Sequence, residues 1–347
     1  MSVETRDFGR MSDGREASLV VLSNEAGMRV GVSQVGACLQ SVSVPDGRGN
    51  LIDVLLGRDG APGYESNPSL LGAIVGRCAN RIAGATFDLG GTTFRLARNE
   101  GENSNHSGPH MWFERLWTIS SGPNQTADGG TTVTMGLLSR TGDQGFPGAV
   151  DVRVTYTLSA DNHLTVHYEA EPSATTIINL TCHAYWNLNG HASGSVLGHT
   201  LQLEAERYTP ADEHHIPTGQ ILDVACTPFD FRAAKTLGRD ATQAGEGYDT
   251  NFALHNDECV ERVATLVGDQ TGITMDVLTD APGLQVYTGR WLDDVGKGGA
   301  HYRPFDGVAL EAQFYPDAIH HKNFPQPVYA PGHPFVSTTT FAFGTTA

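Results

Sequence analysis

Short runs in which apolar and polar residues alternate, each closed by a turn, are the feature that most constrains this chain. Thr131–Ser139, Ala149–Leu158 and His163–Glu169 read this way, the last two joined by the polar turn Ser159–Asn162. A strand places successive side chains on opposite faces, so such runs bury one face each. Ser18–Ser23, Met28–Val32, Cys38–Val44, Leu201–Ala205, Thr274–Thr279, Leu284–Thr288, Gly307–Gln313 and Phe335–Phe343 continue the pattern. Cys38–Val44 stops at Pro45-Asp46-Gly47, where proline sets φ and glycine accepts a positive φ. Thr86–Leu89 and Thr92–Leu96 flank Gly90-Gly91, a two-residue hairpin turn.

Helical periodicity is confined to two short candidates, Asn67–Gly72 and Ala233–Arg239. There is no βαβ alternation, which disfavours Rossmann and TIM architectures, and no fixed-period repeat. The expectation is an all-β, antiparallel sandwich or barrel with few short helices, one large domain over residues 1–347. Gly122–Gly130 reads as a polar loop within it.

Charge narrows the partners. Thirty-nine acidic against 22 basic residues leave a net charge of −17. Such a surface repels phosphate backbones and anionic membranes, so neither nucleic acid nor membrane is an expected partner. No run of about 18 apolar residues suggests a transmembrane helix. The five cysteines are widely spaced, with no C-x-x-C. Free thiols in a reducing compartment fit that spacing better than a disulfide framework or a zinc site. Met1–Arg15 lacks the basic-then-apolar pattern of a secretion signal, so a cytoplasmic protein is expected. The Asn-x-Ser/Thr triplets at Asn105, Asn124 and Asn179 are then chance.

No P-loop, H-E-x-x-H or G-x-S-x-G motif is present. His214-His215 and His320-His321 are adjacent pairs whose side chains diverge on a strand, so they read as solvated loop histidines and no metal is expected. Four polar clusters interrupt apolar strands. Gly76–Ile82 carries Asn80 and Arg81, fork-like donors suited to hydroxyl or carboxylate oxygens, or a structural salt bridge. Asn99–Gly108 is a turn-rich loop holding His106. In Ile177–Leu188, alternation puts Cys182, Ala184 and Trp186 on one face and Thr181, His183, Tyr185 and Asn187 on the other, either a site wall or a buried polar core. Val308–Tyr315 places Glu311 and Gln313 on one face, and a carboxylate is costly to bury unless paired or used. Gln285 on a strand and Asp249 in a loop repeat the theme. Histidine and carboxylate with amides and an arginine are equipment for proton transfer on a small polar ligand.

In order and wording these clusters resemble the aldose 1-epimerases, over nearly the whole chain. The matching segments are GRCANRI at 76–82, NLTCHAYWNL at 179–188, PTGQI at 217–221 and TPFDFR at 227–232. GYDTNF at 247–252, PGLQVYTGR at 282–290 and LEAQFYPDAIHHKNFP at 310–325 complete the series. The resemblance implies an antiparallel β-supersandwich of the galactose mutarotase type, with a sugar site in a cleft on its face. It implies interconversion of the α and β anomers of a free aldose such as glucose or galactose, by a monomer or homodimer. Glu311 falls on the base, His183 on the acid and His106 on a second histidine that polarises the ring oxygen. Asn80, Arg81, Asp249 and Gln285 fall on hydroxyl-binding positions, and Tyr185 on the site wall. Mutarotation breaks no C–C bond and moves no hydride, so it requires no cofactor. The acid must be protonated while the base is ionised, and Asp249 is a candidate for holding His183 charged.

Cys182, Asn105, Ser107, Leu70-Leu71, Met111 and Trp112 depart from the family's usual residues, all near the expected cleft. They leave two further readings open: a same-scaffold enzyme acting on a specialised sugar or other hemiacetal, and a non-catalytic sugar-binding protein. Retention of both His183 and Glu311 favours an active mutarotase. A sugar phosphate is disfavoured because no extra basic cluster is evident.

Overall fold

The computed structural model describes residues 2–126, 129–255 and 259–346. Its regular structure is almost all antiparallel strand, and among the described residues the one α-helix is the six-residue Gly60–Glu65. Five consecutive strands from Ser2–Arg10 to Leu51–Asp53 form an N-terminal meander. A nine-stranded sheet runs from Thr118–Gln125 through the long strands Thr131–Ser139, Val150–Leu158, His163–Pro172 and Phe335–Thr345.

The strands that carry the polar clusters lie elsewhere. They are β1 (Thr181–His183), β2 (Tyr185–Trp186), β3 (Asp249–Ala253), β4 (Gly283–Tyr287) and β5 (Val308–Gln313). A six-stranded sheet takes the order β2-β5-β4-β3, followed by Arg207–Thr209 and Leu222–Asp223. β1 pairs instead with Ala73–Val75, with His183 opposite Ala73.

Register decides what shares a face. Glu311 lies opposite Gln285, which lies opposite Asn251. One step along, Tyr185 lies opposite Ala309, then Tyr287, then Asp249. Since side chains alternate, these two rows occupy one face of the sheet. The other face carries Trp186, Leu310, Val286, Leu284 and Phe252, all at most 1% exposed. It packs against the nine-stranded sheet, where Trp186 meets Phe341 and Phe343 at ring distances of 4.8 and 5.6 Å. The resulting apolar cluster joins residues from Val20 to Phe343. Burial of this face, favourable by about 25 cal/mol per Å² of apolar surface, orients the polar rows outward.

Most of the strand readings hold to within a residue or two, including the Gly90-Gly91 hairpin. Neither helix candidate does. In Asn67–Gly72 the Asn67 side chain accepts from Leu71 N–H and donates to Leu71 O, and Leu70 has φ of 55°. That local bonding supports a turn in place of a helix. In Ala233–Arg239, Lys235–Thr236 forms a short strand against Thr200–Leu201. Gly122–Gly130 is not wholly loop either, because Thr118–Gln125 is a strand; positions 127 and 128 lie outside the described residues. Asp249 begins a strand.

Candidate active site

The polar rows floor a cleft of about 660 Å³, open to solvent on one side. Asn80, Arg81, His106, His183, Tyr185, Asp249 and Glu311 all line it, so seven of the eight expected residues converge. Gln285 does not line it. Its Nε2 donates to Asp249 Oδ1 at 2.6 Å, which places it behind the carboxylate as a support.

His183 and Glu311 form the centre. His183 Nε2 stands 3.6 Å from Glu311 Oε2, and the two side chains are 6% and 2% exposed. His183 Nδ1 and Glu311 Oε2 have no hydrogen-bond partner among the described residues. Buried polar atoms are nearly always paired, so unpaired ones on a cleft wall mark where a ligand bonds. Burial drives His183 down to about 4. Burial, with Asp249 adding to it and Arg81 opposing, drives Glu311 up to about 8. Between those values the pair holds one proton. Asp249 therefore does not hold His183 charged; it faces Glu311 and Arg81 and acts on the carboxylate.

His106 is fixed by the loop beside Arg81–Ile82. Asn80 N–H donates to His106 Nδ1 at 3.1 Å, and His106 N–H donates to Asn80 O at 3.0 Å. With Nδ1 accepting, the neutral ring carries its proton on Nε2. Burial, the neighbouring His183 and Arg81 hold it well below the ordinary histidine range, so His106 is a neutral donor. Both residues adopt positive φ, 60° at Asn80 and 50° at His106, where asparagine and histidine are among the tolerated non-glycine residues. Arg81 is clamped by Glu100, Nε to Oε2 at 2.5 Å and Nη2 to Oε1 at 3.0 Å, and lies 3.7 Å from Asp249. Burial opposes its charge, but Glu100 and Asp249 outweigh that and hold it above the usual arginine value.

Aromatic rings close one side. Tyr185 lies 4.9 Å from His183 and 5.9 Å from Tyr287, and Tyr287 stacks on Trp291 at 5.7 Å. Glu100 and Trp291 were missed as site residues. Trp291 directly follows the recognisable PGLQVYTGR segment, and that adjacency was the available signal.

Of the departures, Leu70 and Asn105 line the cleft. The others do not. Cys182 belongs to the main core, its thiol pushed up to about 12 by burial. Trp112 packs in the same core, 5.9 Å from Trp117. Leu71 packs behind Tyr185, and Met111 against a separate cluster around Phe113. Ser107 Oγ accepts from Cys78 N–H and donates to Cys78 O. Cys182 thus lies on the face away from His183, as strand alternation requires. The histidine pairs are more ordered than loop solvation implies. His320 and His321 both approach the Asp317 carboxylate, and His215 lies 3.6 Å from Asp249. Among the described residues no group of three His, Cys, Asp or Glu is arranged to hold a metal, and no helix is long and apolar enough to cross a membrane.

Fold and cleft together define a class: an all-β enzyme equipped for proton transfer on a small polyhydroxylated molecule. Comparison narrows it. The family model described as aldose 1-epimerase matches residues 18–342. Galactose mutarotase of Bos taurus is 38% identical over 91% of both chains. Aldose 1-epimerase of Escherichia coli is 36% identical over 95% of this chain and 96% of its own. A crystal structure of an aldose epimerase homologue from C. elegans superposes with a TM-score of 0.89 at 28% identity, covering 95% of this chain and 100% of that one. Galactose 1-epimerase from Lactobacillus acidophilus gives 0.87 at 26% identity, covering 100% and 99%. The chain belongs to the aldose 1-epimerase family. It is an isomerase that interconverts the α and β anomers of an aldose.

Proposed function

We propose that Glu311 and His183 are the base and acid of this mutarotase, acting on a free hexose such as galactose or glucose. The observation that carries the assignment is the 3.6 Å approach of a buried imidazole and a buried carboxylate on a cleft wall. The anomeric and ring oxygens are both bonded to C1, so the groups serving them must be near neighbours. The paired carboxyl groups of glycoside hydrolases stand about 5–9.5 Å apart, room for a different reaction.

In the proposed cycle Glu311 takes the proton of the anomeric hydroxyl. The C1–O5 bond breaks, O5 takes a proton from His183, and the open chain carries an aldehyde. Rotation about C1–C2 presents the other carbonyl face. O5 then attacks C1, His183 takes back the O5 proton, and Glu311 returns its proton to the carbonyl oxygen. Atoms, charge and both catalysts are restored. Before a sugar binds, burial favours the carboxylic acid with neutral imidazole; the reactive pair, carboxylate with imidazolium, holds the same single proton. The sugar hydroxyls and the Arg81 charge supply polar contacts that favour the reactive form. His106 Nε2–H gives a second donor for O5 without adding charge. Arg81, Asn80 and Asp249 bind the remaining hydroxyls, and Tyr185 with Tyr287 and Trp291 covers an apolar face of the ring.

The −17 charge is no obstacle to a neutral sugar. The continuous cluster from Val20 to Phe343 supports reading the chain as one domain. The five free cysteines suit the cytoplasm. The test is optical rotation after dissolving α-D-galactose or α-D-glucose. Acceleration by wild type and none by Glu311→Gln supports the assignment. Equal acceleration by both removes Glu311 from the base role.

A further inference from the structure

A second cavity lies past the end of β5, away from the catalytic cleft, with a volume of about 860 Å³. Into it faces Gln313, two residues after Glu311 on the same strand face. Gln313 is 2% exposed, and neither its Nε2 nor its Oε1 has a partner among the described residues. An amide buried with both ends unpaired costs about 1–3 kcal/mol for each unmet group, so a strand this central carries it for a bonding partner.

The surroundings specify that partner. Asp280 Oδ1 already accepts from Ser337 Oγ at 2.7 Å and Thr338 N–H at 2.9 Å, which holds the carboxylate at the cavity edge. The Tyr329 phenol lies on the wall, pushed up to about 12 by burial and by Asp280, and so stays neutral. Tyr329 packs edge-to-face on Phe335 at 5.4 Å, which gives the cavity an aromatic side. Among the described residues no cationic side chain lines it, so phosphorylated or acidic ligands are disfavoured. An amide presenting donor and acceptor together matches neighbouring hydroxyls, each of which does both. Carboxylate, amide, phenol and aromatic wall with no cation suit a neutral ring with polar edges and an apolar face.

The geometry points to a second, non-catalytic carbohydrate site on Gln313, taking a neutral pyranose. Among the described residues it contains no histidine, and its phenol is pushed up to about 12, so it lacks a proton donor suited to ring opening and binds without turnover. It stands apart from the roles given to Glu311 and His183. Val336 is among its lining residues and is 51% exposed, so it marks the solvent side of the cavity.

The test is an amide-resolved NMR titration of the full chain with methyl β-D-glucopyranoside and methyl β-D-galactopyranoside, which cannot open their rings. Expected are shifts around Phe314, Tyr329 and Ser337 with a midpoint separate from those around His183. Val336→Trp obstructs the cavity from its solvent side, so it weakens the first set by about tenfold or more and leaves the second set and the mutarotation rate unchanged. Gln313→Leu removes the amide and abolishes the first set. Shifts confined to the catalytic cleft, or a first set unaltered in both variants, would overturn the proposal and leave a cavity that holds water only. Loss of mutarotation in Glu311→Gln leaves this titration unaffected, so the two assignments fail independently.

Discussion

At the scale of single residues, the proposed chemistry rests on one proton held between His183 and Glu311. Removing either group removes one leg of the transfer, so His183→Asn and Glu311→Gln are each expected to lower kcat by about 10²–10⁴-fold. Polarimetry measures this directly. His106→Asn removes a neutral donor and is expected to lose less. The pH profile follows from the same pair. Below about 4 both groups are protonated and no base remains; above about 8 both are deprotonated and no acid remains. Activity is expected to plateau between those limits, and a profile rising through pH 9 would contradict the assignment. Asn80, Arg81, His183, Tyr185 and Glu311, which line the cleft, were legible because each stands as a polar interruption beside or within an apolar run. The role of Asp249 was not, because which charge it faces depends on strand register across β3 and β4.

At the scale of elements, strands with one buried face announced themselves by alternation. Ser2–Arg10, largely exposed on both faces, and Glu261–Val267 did not. The helix candidate at Asn67–Gly72 failed because side-chain bonds from Asn67 replaced backbone ones. That turn matters to the site. Gly72 N–H donates to His183 O at 3.0 Å, and Gly72 O accepts from Leu39 N–H at 2.9 Å. Gly72 has φ of 67°, and a Cβ there would stand 2.0 Å from Leu39 O, a backbone atom that cannot swing aside. Gly72→Ala is expected to destabilise the fold by more than about 4 kcal/mol, read by denaturant unfolding, and to disturb β1 before any other strand.

At the scale of the whole molecule, buried histidines tie stability to pH, and His106 joins His183 and His199 among them. His183 and His199 are each held down to about 4 by burial, and the His199 ring accepts from Leu188 N–H. Their unfolded value is about 6.5. Between 6.5 and 4 the unfolded chain binds protons that the folded chain refuses, so stability falls as pH falls through that window. Glu311 has the opposite sign: its raised value contributes stability at low pH that is lost as pH rises through about 8. With His106 also held well below its ordinary range, three histidines outweigh one carboxyl below 6.5, and a loss on the order of a few kcal/mol is expected between pH 7 and pH 4.5. Thermal melts across that range check it; a Tm that stays flat would mean the histidines are not buried as neutral rings.

Trp291 gives the molecule a built-in optical reporter. Trp112, Trp117 and Trp186 are at most 1% exposed and see an unchanging interior, whereas Trp291 is 53% exposed at the mouth of the cleft and stacked on Tyr287. A sugar that covers its ring displaces water from one indole of the four. Intrinsic fluorescence therefore carries a constant background and one responsive component, which shifts to shorter wavelength as the cleft fills. Trp291→Phe is expected to keep the stacking surface and silence the signal. Occupancy can then be followed with no label, and filling of the cleft separated from the turnover that follows it.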